Sequence, residues 1–244
     1  MRHVPPAAAD EARQGPRRRR VRLLVARRAR ARGRQRGRRP GGRNVTLLVL
    51  DWDGTVTEVD TLHLVLEEFG DRGIYARVEG ALGETMTLNE VIAAEFATVT
   101  APLEEVIEWL LENTKIRPGF AELARERRPL IVSSGFHETI EPLLEREGVL
   151  DAVELRANRL DARPDGWRVL FRAEHRCGTC GEPCKRQDLP EDGEVVYVGD
   201  GYSDRCVALA ADRVFARDGL ADWLAAQGVP FEPLTDFRAL ASRL

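Results

Sequence analysis

The hydrophobic positions of this chain fall into two kinds of run, and the two alternate. Short continuous runs occupy residues 47–50, 129–132 and 195–198. Runs this short and this apolar predict strands buried on both faces of a parallel sheet. Between them lie stretches with the period of an amphipathic helix. Asp60 caps one that carries Leu62, Val65, Leu66 and Phe69 and ends at Gly70. Thr87 and Glu90 form a capping box ahead of Leu88, Ile92 and Phe96. Pro102 opens a third, with Leu103, Val106, Ile107, Leu110 and Leu111 on one stripe and Glu104 and Glu105 in its first turn.

Residues 119–127 read as a short helix, and another follows the run at 129–132 through Leu143 and Leu144. Residues 154–160 and 167–171 alternate around a Pro164-Asp165-Gly166 turn, which predicts a β-hairpin. The C-terminal part continues with a helix at Val207–Ala211, a short strand at 214–216, a helix at 220–226, an edge piece at 229–231 and a closing helix at 237–244. Strands alternating with helices predict an α/β fold, a doubly wound, mostly parallel Rossmann-like sheet. One crossover needs one helix. The extra helices at about residues 61–116 therefore predict an inserted helical cap lobe, a candidate lid that excludes water.

Composition refines this picture at one end. The chain has 244 residues, 43% hydrophobic and 32% charged, as a folded globular protein does. No apolar run approaches the ~18 residues of a membrane span, so no membrane partner is expected. The net charge of −3 conceals an asymmetry: residues 1–44 hold 16 arginines against Asp10 and Glu11, a local +14. Such a stretch cannot bury enough surface to fold alone. It reads as a solvated tail, or as sequence upstream of a natural start near Val45. A nucleic-acid or anionic-surface arm is a second reading. An organellar presequence is a third, against which the lack of serine argues. Arginine without lysine favours coding bias over a selected phosphate-binding arm, so nucleic acid is expected only non-specifically through this tail. The folded part is then 45–244, and nothing in the pattern sets an oligomeric state. Without a secretion signal, a reducing, cytoplasmic setting is expected.

The candidate chemistry sits where the predicted strands end. The first strand runs into Asp51-Trp52-Asp53-Gly54-Thr55, the second into Ser133-Ser134-Gly135, and the third into Gly199-Asp200-Gly201-Tyr202-Ser203-Asp204. Ligands of open α/β sheets bind at this carboxyl edge. The Ser-Ser-Gly turn before a helix can face an anion with backbone N–H groups. Four carboxylates with Lys185 nearby need a cation. Mg²⁺, which takes oxygen ligands and shares substrate phosphate, meets that need. Phosphoryl transfer then requires an in-line nucleophile and a proton donor. A carboxylate can be the nucleophile, forming an aspartyl-phosphate, and a second acid two residues on can serve the leaving alcohol and then the water.

A separate cluster holds His175, Cys177, Cys180 and Cys184. Cys-x2-Cys with a third cysteine and a histidine can furnish a Zn²⁺ site. Reduced thiols shaping a Gly-rich loop, or a redox-sensitive pair, are the other readings. Cys206 reads as a buried small apolar residue.

Asp51-Trp52-Asp53-Gly54-Thr55, Ser133, Lys185 and Gly199 to Asp204 match in order the four motifs of the haloacid dehalogenase-like hydrolases. Together they span residues 47–204, and the chain resembles that superfamily. The helical insert after the first motif resembles the cap of its phosphoserine-phosphatase-like branch. The resemblance implies a phosphatase of a small phosphorylated metabolite, with Asp51 as nucleophile and Asp53 as general acid/base. It implies Thr55, Ser133, Ser134, Gly135 and Lys185 around the phosphate. Mg²⁺ would sit on Asp51, the Asp53 main chain and Asp200, with Asp204 in support. The Cys-Lys loop and the closing Phe-Ala-Arg-Asp-Gly-Leu and Pro-Leu-Thr-Asp-Phe pieces are similar to methionine-salvage 2-hydroxy-3-keto-5-methylthiopentenyl-1-phosphate phosphatases. Phosphoethanolamine/phosphocholine phosphatases carry a comparable Cys-Lys loop. Ser134 and Ser203 depart from the usual phosphoserine phosphatase pattern.

Overall fold

A computed structural model of the chain describes residues 46–173 and 175–244. The expectations for the Arg-rich segment 1–44 lie outside the described residues. Seven strands form one sheet in the order β4-β3-β2-β1-β5-β6-β7. They are β1 (Thr46–Leu50), β2 (Leu130–Phe136), β3 (Glu154–Asp161), β4 (Arg168–Leu170), β5 (Glu194–Gly199), β6 (Arg213–Ala216) and β7 (Glu232–Pro233). All neighbours are parallel except β3 and β4, which form the expected hairpin.

Burial on both faces explains the unbroken apolar runs. Leu48 and Leu50 of β1 enter one core with Ile131, Val196, Val198 and Phe120, while Val49 enters the other with Val132, Tyr197 and Val214. The chain works outward from β1 on one side, then returns to β5 on the other. The strand order therefore reverses at β1, the point where open sheets place their ligands.

The helices of the first half are α1 (Thr61–Phe69), α2 (Arg72–Glu79), α3 (Leu88–Phe96), α4 (Leu103–Asn113), α5 (Phe120–Arg127) and α6 (His137–Arg146). Asp60 caps α1, and Thr87 and Glu90 form the capping box of α3, as their sequence signals indicated. Helix α2 had no clear sequence signal: it is short, polar on average, and buries Val78 alone of its residues. The second half adds α7 (Arg205–Ala208), α8 (Asp218–Ala226) and α9 (Phe237–Ala241). Among the described residues no helix is long and apolar enough to cross a membrane.

Helices α1 to α4 make the inserted lobe. Its core joins Val65, Leu66, Ile92, Phe96, Val106 and Leu110 to Phe136 and Leu160 of the sheet and to Trp167, which precedes β4. Trp167 fixes the lobe to the hairpin: its amide donates to the Val99 carbonyl at 3.0 Å and its indole to the Ala101 carbonyl at 2.9 Å. The two connections between lobe and sheet lie side by side. Thr57 bridges Ile116, Glu58 N–H donates to the Lys115 carbonyl at 2.9 Å, and Arg117 N–H to the Val56 carbonyl at 2.8 Å.

Some boundaries move: the edge strand lies at Glu232–Pro233 rather than 229–231, the closing helix stops at Ala241, and the helix read at Val207–Ala211 is Arg205–Ala208. The change nearest the site is in β2. The sequence ends the second strand at Val132, whereas β2 runs on to Phe136. Its pairing with β3 shifts register between Val132 and Phe136, so Ser133, Ser134 and Gly135 form an irregular strand end rather than a loop. Asn158 satisfies this irregularity by donating to the Ser134 carbonyl at 2.8 Å.

Candidate active site

β1 delivers Asp51 at its last peptide, whose N–H donates to the Val198 carbonyl at 2.9 Å. Trp52 is fully buried and meets Phe120 edge-on at 6.0 Å. The alternation of an extended chain then sends Asp51 and Asp53 to the other side. The chain reverses at once: the amides of Thr55, Val56 and Thr57 all donate to the Trp52 carbonyl, at 3.2, 2.8 and 3.1 Å. Gly54 makes the reversal possible, with φ +71°, and a Cβ there would fall 2.3 Å from Asp200 Oδ2.

Lys185 is the hub of the site. Its side chain is buried, and its ammonium donates to Asp51 Oδ1 and, at 2.7 Å, to Asp204 Oδ1. Asp204 is saturated: Tyr197 Oη donates to Oδ1 at 2.6 Å, and the Asp200 and Gly201 amides donate to Oδ2 at 2.8 and 3.0 Å. Burial alone would lift Asp204, but Lys185 and these donors hold it below the ordinary carboxylate range. Burial opposes charge on Lys185 too, yet Asp204 and Asp51 raise its pKa. Lys185 and Asp204 therefore form a fixed ion pair beneath the reactive edge.

For Asp51 and Asp200 the compensation falls short, although Lys185 also lowers both. Burial first, then repulsion from Asp204, pushes Asp51 well above its ordinary value and Asp200 to about 6. Side-chain oxygens of Asp51, Asp200 and Asp204 all lie within 4.8 Å of one another. With three carboxylates against one ammonium, and only Asp200 partly exposed, this oxygen set fits a hard divalent cation such as Mg²⁺.

Asp53 faces elsewhere. Its Oδ1 accepts from the Thr61 amide at 3.0 Å and from the Thr61 hydroxyl, while Ser133 Oγ donates to Oδ2 at 3.3 Å. Burial, then the charge of Asp60, pushes its carboxyl up to about 7. The Asp53 side chain is thus not part of the metal-facing group, and Thr61 ties it to the first turn of the lobe.

Ser133 takes a second contact, accepting from the Gly135 amide at 2.7 Å. A Cβ on Gly135 would sit 2.9 Å from Asp53 Oδ2, so glycine here is a matter of space. Thr55, expected at the phosphate, is fully buried, and its hydroxyl donates to Asp200 Oδ1 at 2.9 Å.

Two residues escaped the sequence reading. Tyr197 looked like one more apolar strand residue. Arg117 carried no motif, yet it is 7% exposed and clamps the turn after β1. Its Nε donates to the Thr55 carbonyl at 2.8 Å, and its Nη2 to those of Gly54 and Thr57 at 2.8 and 3.1 Å. Bonds to main-chain carbonyls some sixty positions away leave no trace in side-chain pattern.

The cysteine cluster is also redrawn. The sulfur atoms of Cys177, Cys180, Cys184 and Cys206 lie within 4.8 Å of one another. Cys206, read as an ordinary buried residue, comes from α7, which follows β5 in the chain. His175, expected in the group, is exposed and outside it; its carbonyl accepts from Gln187 Nε2 at 2.6 Å. None of the four cysteines is in a disulfide.

A cavity of about 700 Å³ adjoins these residues. Ser133, Ser134 and Lys185 form part of its wall, and the lobe contributes Leu82, Leu88 and Asn89. Trp223, Leu209 and Arg205 also line it. The Arg205 guanidinium lies 4.7 Å over the Tyr202 ring and 5.6 Å over that of Trp223.

Comparison with known proteins identifies the family. The family model for haloacid dehalogenase-like hydrolase matches residues 48–209. A 2-hydroxy-3-keto-5-methylthiopentenyl-1-phosphate phosphatase of Geobacillus kaustophilus is 30% identical over 203 residues, 78% of this chain and 91% of that protein. One of the same name from Microcystis aeruginosa is 29% identical over 197 residues, 78% and 93% of the two chains. Among solved structures, phosphoserine phosphatase from T. onnurineus superposes with a TM-score of 0.59 at 20% identity, covering 84% of this chain and 98% of its own. A phospho-aspartyl intermediate analogue of phosphoserine phosphatase gives 0.58 at 18%, over 83% and 100%. At these identities the structural likeness speaks for the fold.

Proposed function

Because the chain belongs to the haloacid dehalogenase-like hydrolase family, we propose that this phosphatase hydrolyses a small phosphorylated metabolite with Mg²⁺, through an aspartyl-phosphate on Asp51. The observation that carries this reading is the pair of differently held acids at the end of β1. Asp51 Oδ1 takes the Trp52 amide at 2.7 Å and the Lys185 ammonium, which leaves Oδ2 to attack phosphorus. Asp53, held by Thr61 and Ser133 in a buried site, donates a proton to the leaving alcohol and takes one from the water that follows. Lys185 and the Ser133 to Gly135 segment bind the phosphate, and the lobe keeps bulk water out. Mg²⁺, held by Asp51, Asp200 and the Asp53 main chain with Asp204 in support, would screen the charge between nucleophile and phosphate.

For the substrate we favour the enol phosphate named in the relatives from Geobacillus kaustophilus and Microcystis aeruginosa. The cavity wall supports this choice: Leu82, Leu88, Leu209 and Trp223 suit an apolar thioether tail, and Asn89, Asn158 and Arg172 suit a polar head. Phosphoserine, phosphoethanolamine and phosphocholine are the competing substrates. Phosphate release from all four, with and without Mg²⁺, tests the reading. Mg²⁺-dependent release with the enol phosphate ahead is expected, and Asp51→Asn should abolish it. Substantial turnover by that variant would remove Asp51 from the nucleophile's role.

A further inference from the structure

The clustering of Cys177, Cys180, Cys184 and Cys206 calls for its own account, because no step of the phosphatase chemistry uses a thiol. We propose that these four cysteines bind one structural Zn²⁺ through four thiolates, in a second metal centre distinct from the carboxylate site. Donor chemistry separates the two centres: buried carboxylate oxygens select a hard cation, and sulfur selects a borderline-soft one. A tetrahedral zinc with Zn–S of about 2.3 Å has sulfur–sulfur edges of about 3.8 Å. Here Cys177 Sγ lies 3.9 Å from Cys206 Sγ, and no pair in the group exceeds 4.8 Å. Shifts below one ångström complete the tetrahedron.

The loop is folded as a ligand loop. Cys177 N–H donates to the Glu182 carbonyl at 3.0 Å, and Gly181 N–H donates back to the Cys177 carbonyl at 2.8 Å. The Thr179 amide donates to Cys177 Sγ at 3.4 Å. An amide aimed at sulfur favours the thiolate that a metal needs. The alternatives account for less. A disulfide would use two sulfurs and strand the others, and thiols serving as apolar filler need not converge from two separate segments.

The placement gives the site a purpose. Cys184 directly precedes Lys185, and Cys206 follows Asp204 by two residues. One metal would pin together the two segments whose side chains meet as the Lys185 and Asp204 ion pair. It would also hold Thr179, Glu182 and Pro183 as a wall of the cavity. That positioning role rests on the phosphatase reading, whereas metal content does not, so the two can fail separately.

The test is metal analysis of the full chain, produced in zinc-supplemented medium and purified under reducing conditions. We expect one zinc per chain, with X-ray absorption showing four sulfur neighbours at about 2.3 Å. All four thiols should resist a thiol reagent until the protein is denatured with chelator. Cys206→Ser should lower zinc to well below one per chain, and His175→Ala should keep it. If Cys206→Ser fails to fold, the absorption spectrum of the unaltered protein still decides. Folded protein with no stoichiometric zinc overturns the proposal. So does a shell containing nitrogen in place of a sulfur, or a disulfide within the group in the reduced preparation.

Discussion

Replacing Arg117 tests whether the catalytic turn is held from outside itself. Its guanidinium makes three hydrogen bonds to the carbonyls of Gly54, Thr55 and Thr57, all buried. A hydrogen bond to a charged group contributes about 1.5–3 kcal/mol. Lysine at this position keeps the charge but lacks the fork, and can reach one carbonyl at a time. Arg117→Lys therefore loses two such bonds, about 3–6 kcal/mol before the carbonyls find water, and about 3 kcal/mol is a reasonable net loss. For a chain of this size each kcal/mol moves the melting temperature by about 2–4 °C, so a fall of about 6–12 °C is expected. The turn also sets the position of Asp53 relative to Asp51, and a misplacement of about 1 Å can cost on the order of 100-fold in rate. Thermal unfolding and kcat for phosphate release, measured on the same preparation, check both numbers. A variant that melts with the parent and turns over at the parental rate would refute the clamp.

Glu95 of α3 is 4% exposed, its Oε1 has no hydrogen-bond partner, and burial followed by the charges of Glu79 and Asp60 pushes its carboxyl to about 8. Tyr75 also feels its charge. The folded protein then binds a proton that the unfolded chain has released, so stability falls as pH rises from about 4.5 to about 8 and levels off above that. At about 1.4 kcal/mol per pH unit the ceiling is about 5 kcal/mol, and Glu95→Gln should flatten the profile and raise the melting point at pH 8. Parallel profiles for the two proteins would contradict this. Lys185→Met leaves Asp51 and Asp204 buried without their cation and should cost about 3–5 kcal/mol of stability, measured by denaturant unfolding in chelator. Mg²⁺ at about 100 times its Kd should stabilise the parent protein by about 2.7 kcal/mol. Gly54→Ala, whose Cβ would collide with Asp200, should erase that Mg²⁺ effect while leaving the fold recognisable by circular dichroism.

Much of this architecture was legible because it is local. The runs at Leu47, Leu130 and Val195 had to be buried on both faces, and the acids after them had to lie on one edge of the sheet. Caps at Asp60 and Thr87 were readable because a side chain bonds an amide two or three residues away. What escaped was made by distant segments meeting. Arg117 reaches carbonyls on the other side of the inserted lobe in the chain, Cys206 meets Cys177 although 29 positions and all of β5 separate them in sequence, and Thr55 bonds Asp200, 145 positions on. The end of β2 was misread for a related reason. Ser-Ser-Gly looks like a turn until Asn158 of the neighbouring strand supplies the missing bond.

The chain leaves the sheet at Thr57 and comes back at Ile116 with the two passages bonded to each other. An insertion with adjoining ends is a module. Cutting it out and joining the stubs with a short turn would leave the order of strands untouched. Lengthening it would be inexpensive as well, since each doubling of a flexible loop adds only about 0.6 kcal/mol of closure entropy. The sheet can thus keep one hydrolytic apparatus while the lobe above it is traded, trimmed or extended. Differences in substrate range between relatives should therefore accumulate between those two points of exit and return.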